Sequence, residues 1–194
     1  APDLGSGVVR RVGSSPISRT KNKLEAFKIL SWRLFNWLDM NKHQLCCIGH
    51  ITLDKVVTPQ NTVYMPGGTA FYCSHAIRHF NDINYALVTA VGVTEMNVVE
   101  QLREMGIHVT ALPSKYSVYF ENIYGANPDD RTQRVLVKAD PFIAGQLKDI
   151  DAQIYHLGSL LADDFSLEVI KELSQRGLIA VDSQGYLREV RDTH

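Results

Sequence analysis

From residue 45 onward, short apolar runs alternate with stretches whose apolar positions recur every three or four residues. The first pattern is typical of strands that are buried on both faces, and the second of helices with one buried side. Buried strands are predicted over 45–51, 85–92, 107–112, 154–158 and 178–182. Helices are predicted over 69–80, 98–105 and 166–175. Strands that alternate with helices predict an α/β fold with a mainly parallel central sheet.

Two further pairs of segments have the apolar–polar alternation of half-exposed strands. One pair, 55–58 and 62–65, flanks a turn that contains Pro59 and Asn61. The other pair, 116–124 and 132–138, flanks the sequence Ala-Asn-Pro-Asp-Asp. Proline, asparagine and aspartate in a short connection favour tight turns. We therefore expect two β-hairpins, over 55–65 and 116–138, that project from the main sheet.

Residues 1–39 differ from the rest of the chain in charge and in pattern. They carry seven Lys/Arg and three Asp/Glu, a balance of +4, whereas residues 40–194 carry 13 and 18, a balance of −5. Residues 1–20 show neither a strand period nor a helix period, and 12–16 match one reading frame of a common transfer-RNA T-arm sequence. Two interpretations stay open for 1–39: a non-native translated segment, or a basic disordered arm that could bind RNA.

The overall composition is that of a globular protein, with 45% apolar residues, 21% charged residues and a net charge of −1. This composition excludes a disordered chain. The net charge close to zero gives no overall electrostatic field that would attract nucleic acid or anionic lipid. Three cysteines, two of them adjacent, predict no disulfide framework and favour the reducing cytoplasm. No apolar run is long enough to span a membrane. The stretch 29–38 leaves open an amphipathic helix on a membrane surface or a partner.

The common nucleotide and metal fingerprints are absent from the sequence. His75 and His79 are four residues apart on a predicted helix, but no third ligand accompanies them, so no metal site is predicted. Asp54 follows the strand over 45–51, where carboxylates often contact ligands in open α/β sheets. Gly67 and Gly68 precede the helix over 69–80. Taken alone, a capping carboxylate and a tight turn explain these residues as well as a binding site does.

The order of these features resembles the ribokinase-like, or PfkB, carbohydrate kinase family. The resemblance rests on Gly49 and Asp54, the hairpin after them, the Pro-Gly-Gly at 66–68, Thr-Ala-Val-Gly at 89–92 and EQLREMGIHVTAL at 100–112. The sequence DSQGYLR at 182–188 and the Asp-Pro at 140–141 are similar to the inositol-kinase-like branch. The resemblance covers about 45–188, and it implies a ribokinase-like α/β domain with a small β lid.

This resemblance implies ATP-dependent phosphorylation of a hydroxyl on a small sugar or polyol, with ATP and Mg²⁺ as cofactors. The implied substrate-binding residues are Asp54, Gly67, Gly68, Tyr72, Gln184 and Arg188. The implied lid residues are Tyr64, Tyr119 and Asn122. Tyr72 stands where the family usually has an asparagine. Lid hairpins of this kind also imply a homodimer formed through the lid strands. No nucleic-acid or membrane partner is implied.

Two stretches of the family pattern have no counterpart before His194: the N-x-x-E segment and the G-A-G-D loop, which supplies the anion hole and the catalytic base. We therefore expect no catalytic residue within the chain and no metal ligand. Residues 40–194 are expected to be an incomplete domain that lacks the C-terminal ATP-binding part and is inactive alone. The alternative is a non-catalytic or regulatory protein of the same fold that only binds a small polyol.

Overall fold

The computed structural model describes residues 27–28, 42–80, 82–127 and 129–191. All strands and helices given below lie in the unit Met40–His194. The predictions made for residues 1–39 fall outside the described residues, apart from Phe27 and Lys28. They stay predictions.

Within 42–191, the described residues form nine strands and three α-helices. The strands are β1 (His43–Gly49), β2 (Thr52–Val57), β3 (Thr62–Gly67), β4 (Tyr85–Val91), β5 (His108–Pro113), β6 (Val118–Tyr124), β7 (Arg131–Val137), β8 (Ala152–Gly158) and β9 (Leu178–Val181). The helices are α1 (Gly68–Ile77), α2 (Met96–Glu104) and α3 (Leu167–Ser174). Each predicted strand and helix has a counterpart here, with bounds that differ by a few residues.

Five strands form the central sheet, in the order β5-β4-β1-β8-β9, and every neighbouring pair is parallel. Because side chains alternate across a strand, β1 serves both faces of this sheet. Cys46 and Ile48 pack with Val169 of α3 on one face. Cys47 packs with Ala70 of α1 on the other, where α2 also lies. The structure confirms a mainly parallel sheet flanked by helices.

The remaining four strands form a second sheet, the lid sheet, in the order β3-β2-β6-β7. The two predicted hairpins are present as the antiparallel pairs β2–β3 and β6–β7. They are joined by a parallel pairing between β2 and β6, so they build one sheet. Asp54 follows β1, and it lies inside β2, where it pairs with Met65 and Phe120, because the hairpin strand begins three residues earlier than predicted. Only two residues, His50 and Ile51, separate β1 from β2.

Helix α1 is shorter than the sequence pattern predicts. It ends at Ile77, and the backbone N–H groups of His79 and Phe80 donate to the carbonyls of Ala76 and Ile77 in tight turns. The Phe80 side chain is 61% exposed, so it does not continue the buried helix face.

Because His79 lies beyond α1, the candidate pair His75 and His79 does not share a helix face. Across the described residues, no group of three or more His, Cys, Asp or Glu side chains is arranged to hold a metal ion. None of the helices in the described ranges is long and apolar enough to cross a membrane.

Candidate functional site

A cleft of about 1100 Å³ lies between the lid sheet and the carboxyl end of the central sheet. Its walls come from all four strands of the lid sheet and the turn between β2 and β3, from one side of α1, and from the loops that follow β8 and β9. The carboxyl ends of parallel strands are where open α/β sheets bind ligands. The predicted site residues that line it are Asp54, Gly68, Tyr72, Asn122, Gln184 and Arg188.

Asp54 presents a half-buried carboxylate on the cleft side of β2. The Thr52 hydroxyl donates a hydrogen bond to Asp54 Oδ1 at 2.7 Å. Burial raises the pKa of Asp54, while the Thr52 hydrogen bond and the positive charges of Arg188 and Arg131 act in the opposite direction. No described residue donates a hydrogen bond to the second oxygen, Oδ2. This oxygen can therefore accept one from a ligand.

The glycine pair at the start of α1 is required by two close approaches. A Cβ on Gly67 would lie 2.5 Å from Asp54 Oδ2 and 2.9 Å from Thr52 Oγ1, so only glycine lets the carboxylate lie against the backbone. Gly68 has φ +88°, in the left-handed region, and a Cβ there would collide with the His50 carbonyl oxygen. Gly67 packs against Asp54, which lines the cleft, whereas Gly68 lines the cleft itself.

The segment 182–188 is held against the cleft by Asp182. Its Oδ2 accepts a hydrogen bond from the Thr69 hydroxyl at 3.0 Å, and its Oδ1 accepts one from the Gln184 backbone N–H at 3.0 Å. Arg188 donates to the Leu160 carbonyl at 2.9 Å, and its guanidinium lies 5.3 Å from the centre of the Phe120 ring. These contacts bring Gln184 and Arg188 to the cleft wall.

The lid residues expected from the resemblance divide between the two faces of the lid sheet. Asn122 faces the cleft, is buried, and accepts a hydrogen bond from the Gln133 amide at 2.7 Å. Tyr64 and Tyr119 do not line the cleft. Tyr64 is paired with Lys55, whose ammonium contacts Glu121 at 2.8 Å on the opposite face. Residues on that face alternate with cleft residues along each strand, which explains the separation.

Tyr72 projects from α1 into the cleft and is 54% exposed. The pKa of its hydroxyl is raised by partial burial and, next, by the negative charge of Asp54. Tyr72 and Asp54 both line the cleft. The prediction that Tyr72 contacts substrate stays a prediction.

Sequence reasoning missed Arg131 and Gln133, which line the cleft from β7. The two residues are separated by one position, the spacing at which strand side chains share a face. That signal was present in the sequence, but the strand was expected to begin at residue 132, which left Arg131 in the turn.

His50, at the end of β1, is a buried histidine that supports the cleft. Its Nδ1 lies 3.2 Å from the Ala90 carbonyl oxygen, and its ring stacks on Phe142. Burial lowers the pKa of His50, which favours the neutral ring. Asp164, whose Oδ1 is 3.6 Å from His50 Nε2, accepts hydrogen bonds from the backbone N–H groups of the Leu160 loop. His50 and Asp164 thus fix a loop that forms one cleft wall.

No family model and no curated protein sequence matches the chain. Solved structures do match it. One is a pyrophosphate-dependent kinase in the ribokinase family, in a sulfate complex, with 25% identity and a TM-score of 0.66, covering 77% of this chain and 53% of its own. Another is a pyrophosphate-dependent ribokinase-family kinase complexed with a pyrophosphate analog and myo-inositol, at 23% identity and a TM-score of 0.64, covering 75% and 51%.

Phosphofructokinase-2 from Escherichia coli, in complex with fructose-6-phosphate, matches at 16% identity and a TM-score of 0.53, covering 72% of this chain and 54% of its own. The structural neighbours are thus ribokinase-family kinases, and the chain has their mixed α/β fold. The chain spans about half the length of the solved structures it matches.

Proposed function

We propose that the cleft binds a small sugar or polyol and presents one of its hydroxyl groups for phosphorylation. In this proposal the chain supplies the acceptor side of a ribokinase-like kinase. The observation that carries it is the half-buried Asp54 carboxylate, with Oδ1 bonded to Thr52 and Oδ2 lying against Gly67 at the cleft surface. A polyol hydroxyl that leaves water needs a fixed partner, and an ionised carboxylate is a strong acceptor.

The cleft combines polar and apolar surface in a way that suits a carbohydrate. Asn122 and Gln184 offer amide donors and acceptors to hydroxyl groups, while the exposed Met65 and Tyr72 offer apolar surface to the C–H face of a ring. Binding sites for small molecules commonly have this composition, with a few placed polar groups among apolar walls.

The phosphoryl donor is a separate part of the proposal. The resemblance implies ATP with Mg²⁺, and two structural neighbours are pyrophosphate-dependent kinases, so both donors are candidates. Across the described residues, no group of three or more His, Cys, Asp or Glu side chains is arranged to hold a metal ion by itself. We therefore derive no step through ATP or Mg²⁺, and we propose that transfer needs residues other than those of the cleft.

Binding of the acceptor can be tested on the chain itself. Isothermal titration with a panel of sugars, inositols and nucleosides is expected to give binding that Asp54→Asn weakens by about tenfold to a hundredfold, because a hydrogen bond to a charged group contributes about 1.5–3 kcal/mol. Glu121→Gln is the matched control, since this acid lies in the lid sheet but pairs with Lys55 on the face away from the cleft. Absence of binding to the whole panel would contradict the proposal.

Transfer is tested by a phosphorylation assay with ATP or pyrophosphate, on this chain and on a protein extended through the downstream reading frame. We expect activity only in the extended protein. Acceptor binding without transfer in either protein would instead support the non-catalytic polyol-binding alternative.

A homodimer through the lid strands is part of the same proposal. Val63 and Tyr64 of the edge strand β3 are 44% and 59% exposed, and an unpaired edge strand can pair with a second copy. Light scattering of the purified chain is expected to give twice the monomer mass. A monomer at all concentrations would contradict this part alone.

A further inference from the structure

Two cysteine side chains meet at the wall of the cleft. Cys47 lies in β1 and is fully buried, whereas Cys73 lies in α1, is partly exposed and lines the cleft. Both pack in the apolar cluster on the α1 side of the central sheet, and a side-chain hydrogen bond joins their sulfur atoms. Cys46 packs on the opposite face of this sheet, because side chains alternate along a strand.

The hydrogen bond makes the two thiols differ in acidity. It lowers the pKa of Cys73 to about 7, against the opposing effect of burial. The same hydrogen bond, together with burial, raises the pKa of Cys47 well above its ordinary value. At neutral pH, Cys73 is therefore partly a thiolate that accepts the hydrogen bond, and Cys47 is the thiol that donates it. The thiolate is the nucleophilic form of cysteine.

Of the three cysteines, Cys73 is the accessible one. Cys46 and Cys47 are both 0% exposed, and burial raises the pKa of Cys46 to about 12. Cys73 borders a cleft of about 1100 Å³, which a small oxidant can enter. An acidic, accessible thiol with a second thiol beside it is the arrangement that oxidants convert to a disulfide.

We propose that Cys47 and Cys73 form a redox modification site, which a peroxide that enters the cleft converts to a disulfide. The Cys73 thiolate attacks one peroxide oxygen, so an S–O bond forms and the O–O bond breaks. The other oxygen leaves and takes up a proton from solvent. The Cys47 sulfur then attacks the Cys73 sulfur, and the hydroxyl group leaves as water with the Cys47 proton. Two thiols lose two electrons in total, and the peroxide gains them.

The disulfide connects the oxidation state of the chain to the shape of the cleft. Its formation brings the two sulfur atoms to about 2.05 Å, closer than hydrogen-bonded thiols, and so draws α1 toward β1. Thr69 and Tyr72 line the cleft from α1 and move with this helix. Both thiols are free in the structure, which therefore describes the reduced state.

The test is intact-mass spectrometry of the full chain after treatment with hydrogen peroxide, unfolding and blocking of the remaining thiols with N-ethylmaleimide. We expect the oxidised chain to carry one maleimide group and the reduced chain to carry three. Cys47→Ala and Cys73→Ala should abolish the crosslink. Cys46→Ala is the matched control, because this side chain is equally buried at the adjacent position of β1, and the crosslink should persist. Melting temperatures of the three variants report on folding.

A second measurement uses the unsubstituted chain. Iodoacetamide should alkylate Cys73 before the other cysteines of the folded chain, at a rate that rises through about pH 7. The amide chemical shifts of Thr69 and Tyr72 should change on oxidation and return when dithiothreitol reduces the chain.

A crosslink that persists in Cys47→Ala, or that is lost in a folded Cys46→Ala chain, would overturn the inference. A stable sulfenic or sulfinic acid at Cys73 without a crosslink, or a disulfide that joins only two molecules, would also overturn it. Alkylation of Cys73 that rises only near its ordinary pKa of 9.0 would contradict the thiolate. Unchanged amide shifts would contradict the connection to the cleft. The proposed function is tested separately, because sugar binding is measured on the reduced chain.

Discussion

The central sheet and the lid sheet are built from the same kinds of short strand but have opposite surroundings. All seven residues of β4 are buried, because helices cover both faces of the central sheet. In β7 of the lid sheet, exposed and half-buried residues alternate, since one face borders the cleft and the other borders solvent. Only the second arrangement leaves polar side chains free to meet a ligand.

This difference assigns separate tasks to the two sheets. Side chains of the central sheet contribute apolar burial, which stabilises the whole domain. Side chains of the lid sheet contribute polar groups at every second position, and those on the cleft face are the candidates for recognition. Substitutions in the two sheets should therefore change different observables, and the following predictions test that separation.

The largest effect is expected in the central sheet. Leu87→Ala removes a fully buried side chain of β4 and should lower the free energy of unfolding by about 2–5 kcal/mol, because a cavity replaces packed atoms. Urea denaturation measures the change. Leu136→Ala, in β7, is the control. Because this side chain is 46% exposed, its truncation should lower the free energy of unfolding clearly less. Equal losses would show that the lid sheet is as important for stability as the central sheet.

Asp54→Asn should separate binding from stability. Because the pKa of Asp54 is raised in the folded chain, the folded state binds a proton more readily than the unfolded state. The contribution of Asp54 to stability is therefore largest at low pH and falls as the pH rises from the ordinary value of 3.8 through the raised value. The variant should lack this fall, so its melting temperature at neutral pH should equal or exceed that of the original chain while sugar binding is weakened.

Melting curves between pH 3 and 7 check this sign. A variant that is less stable than the original chain at neutral pH would show that Asp54 acts as a structural residue.

Gly68→Ala tests the junction between the two sheets. The left-handed backbone and the collision with the His50 carbonyl should together cost about 1–3 kcal/mol in stability and reduce sugar binding. Gly145→Ala is the matched control, because a Cβ there meets no atom within 4 Å. Thermal unfolding of both variants gives the comparison, and an unchanged Gly68→Ala protein would contradict the strain argument.

The smallest effect is expected on the outer face of the lid sheet. Lys55→Gln breaks the contact with Glu121 but touches no residue of the cleft wall. Sugar affinity should stay within about twofold of the original value, since ion pairs near the surface contribute little. A larger loss in titration would mean that the outer face also determines ligand binding.

The central sheet was predicted well, because a strand that is buried on both faces has an uninterrupted run of apolar residues, as β4 does. The end of α1 was predicted too late, because Phe80 continues the helical spacing although the backbone leaves the helix after Ile77. Local hydrogen bonds at the helix end decide this point, and apolar spacing does not report them.

The candidate site was predictable only in part. Asp54, Gly68 and Arg188 were identified through the order of motifs, and the structure places them around one cleft. Tyr64 and Tyr119 were assigned to the lid without knowledge of strand register, and a shift of one position decides which face a side chain occupies. Arg131 was missed for a related reason, since the exact start of β7 determines whether it is a turn residue or a strand residue.

The central claim, a sugar-binding cleft between the two sheets, is tested most directly by amide chemical shifts of the isotope-labelled chain during titration with the sugar and polyol panel. The account predicts that the shifts concentrate at Asp54, Gly68, Asn122 and Gln184, which border the cleft from both sheets. Shifts confined to the outer lid face around Tyr64, or no shifts with any ligand, would contradict it.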